Sequence, residues 1–292
     1  MQFISNTNDI RKYLGLKFKN NIKFDNISID TRTIKKDSLF IALKGENFNG
    51  NKFIEKAFSS GASAVLCSNK AYKNKNNAIY VPSVRDALSK ISSNIASDFQ
   101  GKKILITGSN GKTSTTSILS KSLPKCSSTI RNFNNEIGLP ISIMSAKKDS
   151  RYIVLEAGAA KKGDIEYLSK LVRPDIGIIT NIGNSHLEKL LNVEGVFKVK
   201  SELIKNIRKG GTLIVPNDLR YLERWKKMAK GLKVVPVPNK YIATKEKFSS
   251  DGRMMTFDII EKSAGNKKTV VIPISSSLIG KHNVQNILVC HS

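Results

Sequence analysis

The chain has 292 residues, of which 40% are hydrophobic and 25% charged, a balance typical of globular proteins that excludes wholesale disorder and fibrous repeats. It carries 49 Lys and Arg against 23 Asp and Glu, a formal net charge of +26. Such a charge attracts phosphate-bearing partners, but the lysines are spread along the whole chain, without an arginine-rich arm or a zinc-finger spacing. Solvated basic faces are the favoured interpretation, and a basic binding surface is the alternative.

The cysteines and the hydropathy of the sequence indicate in which cellular compartment the protein is expected. The three cysteines, Cys67, Cys126 and Cys290, are widely spaced and form no C-x-x-C pair, which excludes a disulfide framework and a cysteine-based zinc site. No apolar run approaches the roughly 18 residues of a membrane-spanning helix, and the N-terminus lacks a signal-peptide pattern. We expect a cytoplasmic protein without a membrane span.

The first eighty residues predict a small α/β arrangement. A helix is expected over Lys52–Ser60, closed by Gly61. Short β-like runs occur at Asn26–Asp30, Ser38–Leu43 and Ala64–Cys67. Pro82 interrupts this pattern, and we expect one domain at residues 1–82 and a second at residues 83–292.

The second domain opens with an amphipathic helix over Ser83–Phe99. A repeated order of strand, turn and helix follows. The predicted strands are Lys103–Thr107, Tyr152–Leu155, Asp175–Thr180 and Thr212–Val215, and the helices are Lys112–Leu123, Asp164–Leu171 and Val193–Ile207, with a further helix after Asp218. Continuous apolar strands separated by helices predict a mostly parallel sheet covered on both faces. After Val234 the pattern becomes β-rich, with Met254–Ile260 and Thr269–Ile274 as hairpin strands.

Ligands of open α/β sheets gather at the carboxyl ends of the strands. The polar residues expected there are Gly108–Thr113, Glu156, Asn181 with nearby His186, and Asn217–Asp218. A glycine-rich turn, a carboxylate and a histidine are therefore expected on one edge of the sheet.

The segment Gly108–Thr113, GSNGKT, follows a strand and opens a helix, the context of a phosphate-binding loop. Its glycines let backbone N–H groups face phosphate oxygens, Lys112 supplies a positive charge, and the Thr113 hydroxyl can ligate Mg²⁺. Ile106 occupies the first glycine position of the strict G-x-x-x-x-G-K-[ST] pattern. Nucleotide binding is favoured over a simple helix cap.

Three further residues carry weaker signals. Glu156 ends an apolar strand, where a carboxylate needs a cation such as Mg²⁺, or else a lysine. A lone histidine such as His186 is more often a cap or a surface residue than a ligand. Lys200, in FKVKSEL, is by spacing one lysine among many on a helix face.

Six segments in order, TGSNGKTSTT, RNFNNEIGLP, LEAG, TNIGNSHLE, FKVKSEL and GKHNVQN, together resemble the Mur ligases, ATP-dependent amide-forming enzymes of peptidoglycan synthesis. The segment SIDTRTIKKDSLFIALKGENFNGNKFIEKAFSSGASAVL resembles the UDP-sugar-binding domain of two members. These members add either the third amino acid or D-alanyl-D-alanine, and NFNNEIGLP and TNIGNSHLE are more similar to the second. The resemblance covers essentially the whole chain.

The resemblance implies a role for each matching residue in activating a peptide carboxylate as an acyl phosphate. ATP would lie against Gly108, Ser109, Asn110, Gly111, Lys112, Thr113, Ser114, Asn283 and Asn286. Lys112 would hold the γ-phosphate, and Mg²⁺ ions would be held by Thr113, Glu156, His186 and Lys200. The catalytic set would be Lys112, His186 and Lys200, the last as a carbamate.

Asp30, Thr31, Arg32, Asn134 and Asn135 match regions that face the UDP-N-acetylmuramoyl peptide. The implied second substrate is D-alanyl-D-alanine, and we expect a monomer without a nucleic-acid partner. The family continues with a third, Rossmann-like domain, so the expectation is a truncated ligase made of the UDP-substrate and phosphate-loop ATPase domains. The alternatives are the ligase adding the third residue, a folylpolyglutamate synthetase, and a nucleic-acid-binding phosphate-loop protein.

Overall fold

The computed structural model describes residues 2–46, 48–183, 192–238, 241–251, 253–261 and 271–291. The chain divides into two compact units, the first comprising Met1–Gly101 and Glu136–Ser150 and the second Lys102–Asn135 and Arg151–Ser292. Among the described residues, none of the helices combines the length and apolar character needed to cross a bilayer.

Strands and helices alternate along most of the chain. The strands are β1 (Asn26–Ser28), β2 (Ser38–Ile41), β3 (Ala62–Cys67), β4 (Ala78–Tyr80), β5 (Lys102–Thr107), β6 (Cys126–Ser128), β7 (Tyr152–Glu156), β8 (Ile176–Ile179), β9 (Thr212–Pro216), β10 (Lys233–Val237), β11 (Tyr241–Phe248), β12 (Met255–Glu261) and β13 (Val271–Ser276). The α-helices are α1 (Thr7–Leu14), α2 (Ile54–Ser59), α3 (Val84–Asp98), α4 (Lys112–Ser122), α5 (Gly138–Met144), α6 (Asp164–Val172), α7 (Val193–Ser201), α8 (Leu222–Met228) and α9 (Lys281–His291).

The first unit is built on a parallel sheet of order β1-β2-β3-β4. Its longest helix, α3, begins where the Ser83 hydroxyl accepts a hydrogen bond from the backbone N–H of Asp86, an N-cap that satisfies one orphan donor. The face of α3 that carries Leu88, Ile91 and Ile95 is fully buried. The predicted β1, β2, β3 and α2 are present within three residues of their expected bounds.

The compact units are divided differently from the predicted domains, whose boundary lay between residues 82 and 83. The helix α3 lies in the first unit, because it packs against α1 and α5. The segment Glu136–Ser150 also belongs there: the backbone N–H of Phe3 bonds the carbonyl of Ala146 at 2.9 Å, and every residue of α5 is buried. Chain order alone therefore does not give the division.

The second unit contains a six-stranded parallel sheet of order β10-β9-β8-β5-β7-β6. The prediction of a parallel α/β sheet is confirmed. The central strands are apolar along their length, and Ile104, Ile106, Val154, Ile178 and Ile214 lie in one buried cluster. In such a sheet the carboxyl ends of all strands lie at the same edge, which brings the residues after β5, β7 and β8 together.

A smaller antiparallel sheet of order β11-β12-β13 follows in the same unit. The β-rich prediction after Val234 is confirmed, and the two predicted hairpin strands correspond to β12 and β13. Met255 and Phe257 on β12 share a buried cluster with Val284 and Leu288 of α9. This cluster anchors α9, which in turn contacts α4.

Candidate functional site

The glycine-rich turn joins β5 to α4 at the centre of the parallel sheet. Gly111 is the N-cap of α4 with φ of +79°, and Gly108 has φ of +149°, both values that favour glycine. A Cβ atom at Gly108 would lie 2.0 Å from Thr180 Oγ1. Both glycines are therefore required by the backbone path, which carries the chain from the strand into the helix as the sequence predicted.

Residues after β8 hold this turn from the side. The Asn110 N–H donates to Asn181 Oδ1 at 3.0 Å, and Asn181 Nδ2 donates to the Asn110 carbonyl at 3.0 Å. Ser109 Oγ donates to the Gly183 carbonyl at 3.0 Å and accepts from the Gly183 N–H at 2.9 Å. Asn181 thus lies beside the turn, as the strand-end argument predicted.

The Lys112 side chain folds back onto the backbone of the glycine-rich turn. Its Nζ donates to the carbonyls of Gly108 at 3.0 Å and Ser109 at 3.3 Å. Burial lowers the pKa of Lys112, and the nearby Glu156 carboxylate partly opposes that shift. The cation is held beside the N-terminus of α4, where backbone N–H groups lack partners within the helix, an arrangement suited to anionic phosphate groups.

Glu156 ends β7 in register with Ile106 of β5, and it is only 2% exposed. Thr113 Oγ1 donates to Glu156 Oε2 at 2.8 Å, and Asn134 Nδ2 donates to Oε1 at 2.7 Å. A carboxylate and a hydroxyl side by side are the hard oxygen ligands that Mg²⁺ prefers. The residues present therefore fit this ion.

Lys200 is almost completely buried, with 1% exposure, on α7. Burial, followed by repulsion from Lys112, lowers its pKa to about 8, against the attraction of Asp164 and Glu202. A lysine on a solvated face would not show this environment, so the spacing-based interpretation is corrected. Lys200 and Lys112 are close enough for their charges to interact.

The surroundings of Lys200 are built by residues that sequence reasoning missed. Glu202 is buried and accepts hydrogen bonds from the backbone N–H groups of Gly163 at 2.8 Å and Glu166 at 3.1 Å, at the start of α6. Trp225 Nε1 on α8 donates to Ser201 Oγ at 2.9 Å. The acidic residue two positions after Lys200 was the available signal, but its partners lie far away in the sequence.

The two asparagines of α9 are buried, and Asn286 contacts the glycine-rich turn. Asn283 Nδ2 donates to the Ile279 carbonyl at 2.9 Å, and Asn286 Nδ2 donates to Asn283 Oδ1 at 3.1 Å. The Asn286 Oδ1 atom lies 2.5 Å from the position that a Cβ of Gly111 would occupy. Their predicted role near a nucleotide base stays a prediction.

Replacing Gly111 by alanine should destabilise the fold more than an equivalent change at Gly231, which has φ of +82° and no neighbouring atom within 4 Å of a Cβ. Backbone strain should cost about 1–2 kcal/mol at each position. The clash with Asn286 should add about 1–3 kcal/mol for Gly111→Ala alone. Urea unfolding measures both variants, and equal losses would show that the contact with Asn286 yields freely.

Asp30 and Arg32, predicted to face the substrate, lie in the first unit and pair with each other at 2.6 Å. The Arg32 side chain, through its hydrogen bonds, lowers the pKa of Asp30 to about 2. Thr31 begins the 3₁₀ turn Thr31–Thr33, which contains Arg32 and has Asp30 as its N-cap. Asn135 is exposed near the end of the second unit's first segment. Their substrate-binding role stays a prediction.

The first unit contains a cavity of about 440 Å³ that the sequence did not indicate. Its lining residues are Leu43, Lys44, Gly45, Glu46, Ser68, Pro82, Ser83, Val84, Arg85 and Ile137. Lys44, Arg85 and the N-terminus of α3 contribute positive potential there, and Glu46 contributes one negative charge. The sequence indicated the break at Pro82 and the helix that begins at Ser83, but not that the loop after β2 lines the same cavity.

The remaining predicted site residues are distributed as follows. Ser114 lies in the first turn of α4. Asn217 follows β9 and donates to the Pro238 carbonyl at 3.0 Å, while Asp218 pairs with Arg220 at 2.7 Å. His186 lies outside the described residues. Its predicted role as a metal ligand and catalytic residue stays a prediction.

A parallel α/β sheet with a glycine-rich turn after its central strand defines the class of phosphate-loop proteins. Two family descriptions narrow this class: residues 106–292 match the Mur ligase middle domain, and residues 23–95 match the catalytic domain of the Mur ligase family. The chain belongs to the Mur ligase family, as the six ordered segments indicated.

Similar proteins within the family point to one branch. The chain is 34% identical over 297 residues to the UDP-N-acetylmuramoyl-tripeptide–D-alanyl-D-alanine ligase of Buchnera aphidicola subsp. Baizongia pistaciae, over 99% of this chain and 63% of that protein. The corresponding ligase of Bacillus subtilis is 34% identical over 267 residues, which are 90% of this chain and 56% of that protein. The chain thus spans less than two thirds of the length of these relatives.

Solved structures agree with this branch. A crystal structure of MurF from Acinetobacter baumannii matches with a TM-score of 0.78 and 26% identity, over 97% of this chain and 62% of that one. The MurF ligase of Thermotoga maritima, in complex with ADP, matches with a TM-score of 0.74 and 25% identity, over 91% and 61%. The predicted fold class is confirmed by these likenesses.

Proposed function

We propose that this chain serves an ATP-dependent, ADP-forming ligase that joins D-alanyl-D-alanine to a UDP-N-acetylmuramoyl-tripeptide. The observation that carries the proposal is the combination of the Lys112 turn with the Thr113–Glu156 pair at the end of the central strands. The ligase activity printed for the relatives from Buchnera and Bacillus, and the ADP in the Thermotoga structure, support it.

In the proposed reaction the terminal carboxylate of the tripeptide takes the γ-phosphoryl group of ATP, which leaves ADP and an acyl phosphate. The amine of D-alanyl-D-alanine attacks the acyl carbon, forms the amide bond, releases phosphate and loses a proton. The contribution of this chain is to hold the triphosphate. Backbone N–H groups at the start of α4 and the Lys112 ammonium, with Ser109, Asn110 and Ser114 beside them, would face its oxygens.

Mg²⁺, when bound, would neutralise part of the phosphate charge and polarise the phosphoryl oxygens. Thr113 and Glu156 would hold it, because both offer oxygen atoms at the end of the central strands. His186 and a carbamate on Lys200 are proposed as further ligands. Asn283 and Asn286 would adjoin the nucleotide on the other side of the turn.

The UDP-sugar would bind the first unit. The cavity is lined by Lys44 and Arg85 against, among the described residues, a single acidic side chain, Glu46, which leaves a positive balance for a diphosphate. The turn of Asp30, Thr31 and Arg32 is the second candidate surface of this unit. The three cysteines are free, which supports the proposal of a reducing, cytoplasmic location.

Binding measurements test this proposal with the chain itself. We expect calorimetry to show binding of UDP-N-acetylmuramoyl-tripeptide, at least tenfold weaker binding for Arg85→Ala, and little change for Lys90→Ala on the same helix. Stronger binding of the dipeptide form would favour the ligase that adds the third amino acid. Affinity for DNA that falls steeply with salt, without UDP-sugar binding, would favour the nucleic-acid alternative.

A further inference from the structure

Asn134 contacts the candidate metal ligand rather than standing free for a substrate. Its Nδ2 atom donates to Glu156 Oε1 at 2.7 Å, across 22 positions of sequence. The other carboxylate oxygen, Oε2, accepts from Thr113 Oγ1 at 2.8 Å. The two donors approach different oxygens, so together they fix the rotation of a carboxylate that is 2% exposed.

The backbone around Asn134 is held in the same place by independent contacts. The Gly158 N–H donates to the Asn134 carbonyl at 2.8 Å. A Cβ atom at Gly158 would lie 2.8 Å from Asn134 Oδ1, a distance that real Cβ contacts essentially never show. The Glu156 N–H donates to Thr129 Oγ1 at 2.7 Å. The segment from Thr129 to Asn134 therefore folds over the end of β7.

These contacts are consistent with different roles for Glu156, as a cation ligand, and Asn134, as the donor that orients it. A carboxylate oxygen can accept from more than one direction, so a hydrogen bond to Oε1 leaves capacity for a cation. A neutral amide donor stabilises the ionised carboxylate without adding a competing positive charge. Residues that orient metal ligands in this way typically change metal affinity by 10–100-fold when they are removed.

We propose that Asn134 is a positioning residue that holds the Glu156 carboxylate in the orientation that ligates a divalent cation, and that it does not bind the UDP-sugar substrate. This proposal rests on the proposed nucleotide and Mg²⁺ site. It reassigns Asn134 from the substrate-facing role that the sequence resemblance implied, and it leaves Asn135 in that role.

Mn²⁺ binding in the presence of ADP, measured by electron paramagnetic resonance, tests the proposal without catalysis. Asn134→Ala should weaken Mn²⁺ binding at least tenfold, while ADP binding in the presence of a chelator and binding of the UDP-sugar substrate stay within twofold of wild type. Asn132→Ala is the matched control, because Asn132 is an exposed asparagine of the same segment. It should bind Mn²⁺ like the wild type.

A second variant guards against a folding defect. Asn134→Ser keeps a polar side chain but is too short to reach Glu156, and it should show the same loss with an unchanged thermal unfolding midpoint. Unchanged Mn²⁺ affinity in the folded variants overturns the positioning role, as does a loss confined to UDP-sugar binding. A wild-type chain that binds neither ADP nor Mn²⁺ overturns the proposed function itself, which is a distinguishable result.

Discussion

Replacing Lys112 by alanine should weaken the binding of Mg-ATP by at least tenfold, about 1.4 kcal/mol, while the fold stays intact. The Lys112 ammonium is held against the backbone of the turn by hydrogen bonds to the carbonyls of Gly108 and Ser109. Its removal leaves the backbone N–H groups at the start of α4 in place, so residual binding should persist. Isothermal titration calorimetry measures the change.

Lys121 offers the matched control, since it is exposed in the last turn of the same helix. Lys121→Ala removes an equal charge without touching the turn, and it should bind Mg-ATP within twofold of wild type. Equal losses in both variants would mean that general positive charge draws the nucleotide. Unchanged affinity of Lys112→Ala for Mg-ATP would show that the turn only caps the helix and does not bind phosphate through Lys112.

The glycine-rich turn and its surroundings could be predicted because their signals are local. The strands that lead into the turn and into Glu156 are continuous apolar runs, and the turn itself is a short glycine-lysine motif. Register between β5 and β7 then places Glu156 beside the turn, a consequence of parallel pairing alone. The Thr113–Glu156 contact follows directly from this arrangement.

Other elements gave little local signal. The helix α1 is polar, TNDIRKYL, and buries Ile10, Tyr13 and Leu14 only because α3 lies against it. The strand β4 has three residues. The predicted helix over Val193–Ile207 ends as an α-helix at Ser201 and continues as a 3₁₀ turn. Tertiary contacts decide each of these, and periodicity does not record them.

The burial of Lys200 could not be predicted from the spacing of residues in the sequence. Lys200 reads in the sequence as one of many lysines, because its neighbours FKVKSEL would suit a solvated helix. The helix that carries Lys200, α7, packs on α8 and its N-cap: Phe197 stacks on Tyr221 at 4.7 Å, and Arg224 lies 4.0 Å from the Phe197 ring centre. The Asn134 contact to Glu156 is non-local in the same way.

Lys200 is expected to carry a carbamate when carbon dioxide is present. Only the neutral amine attacks CO₂; the new N–C bond makes a carbamate anion and releases a proton. Burial, followed by Lys112, lowers the Lys200 pKa to about 8, so roughly a tenth of the amine is neutral at pH 7, far more than for an ordinary lysine. Carbamylation turns the repulsion from Lys112 into attraction, and it turns the attraction of Asp164 and Glu202 into repulsion.

In ¹³C-bicarbonate buffer, nuclear magnetic resonance should show a carbamate carbonyl signal that grows as the pH rises from 7 through about 8, because deprotonation supplies the reactive amine. Lys200→Met should abolish the signal while keeping the buried volume. Lys198→Met is the control, since the Lys198 side chain is 70% exposed on the same helix, and its signal should match the wild type. A signal that survives in Lys200→Met, or an amine at this position that titrates as an ordinary exposed lysine, would refute the modification and remove Lys200 from the proposed metal ligands.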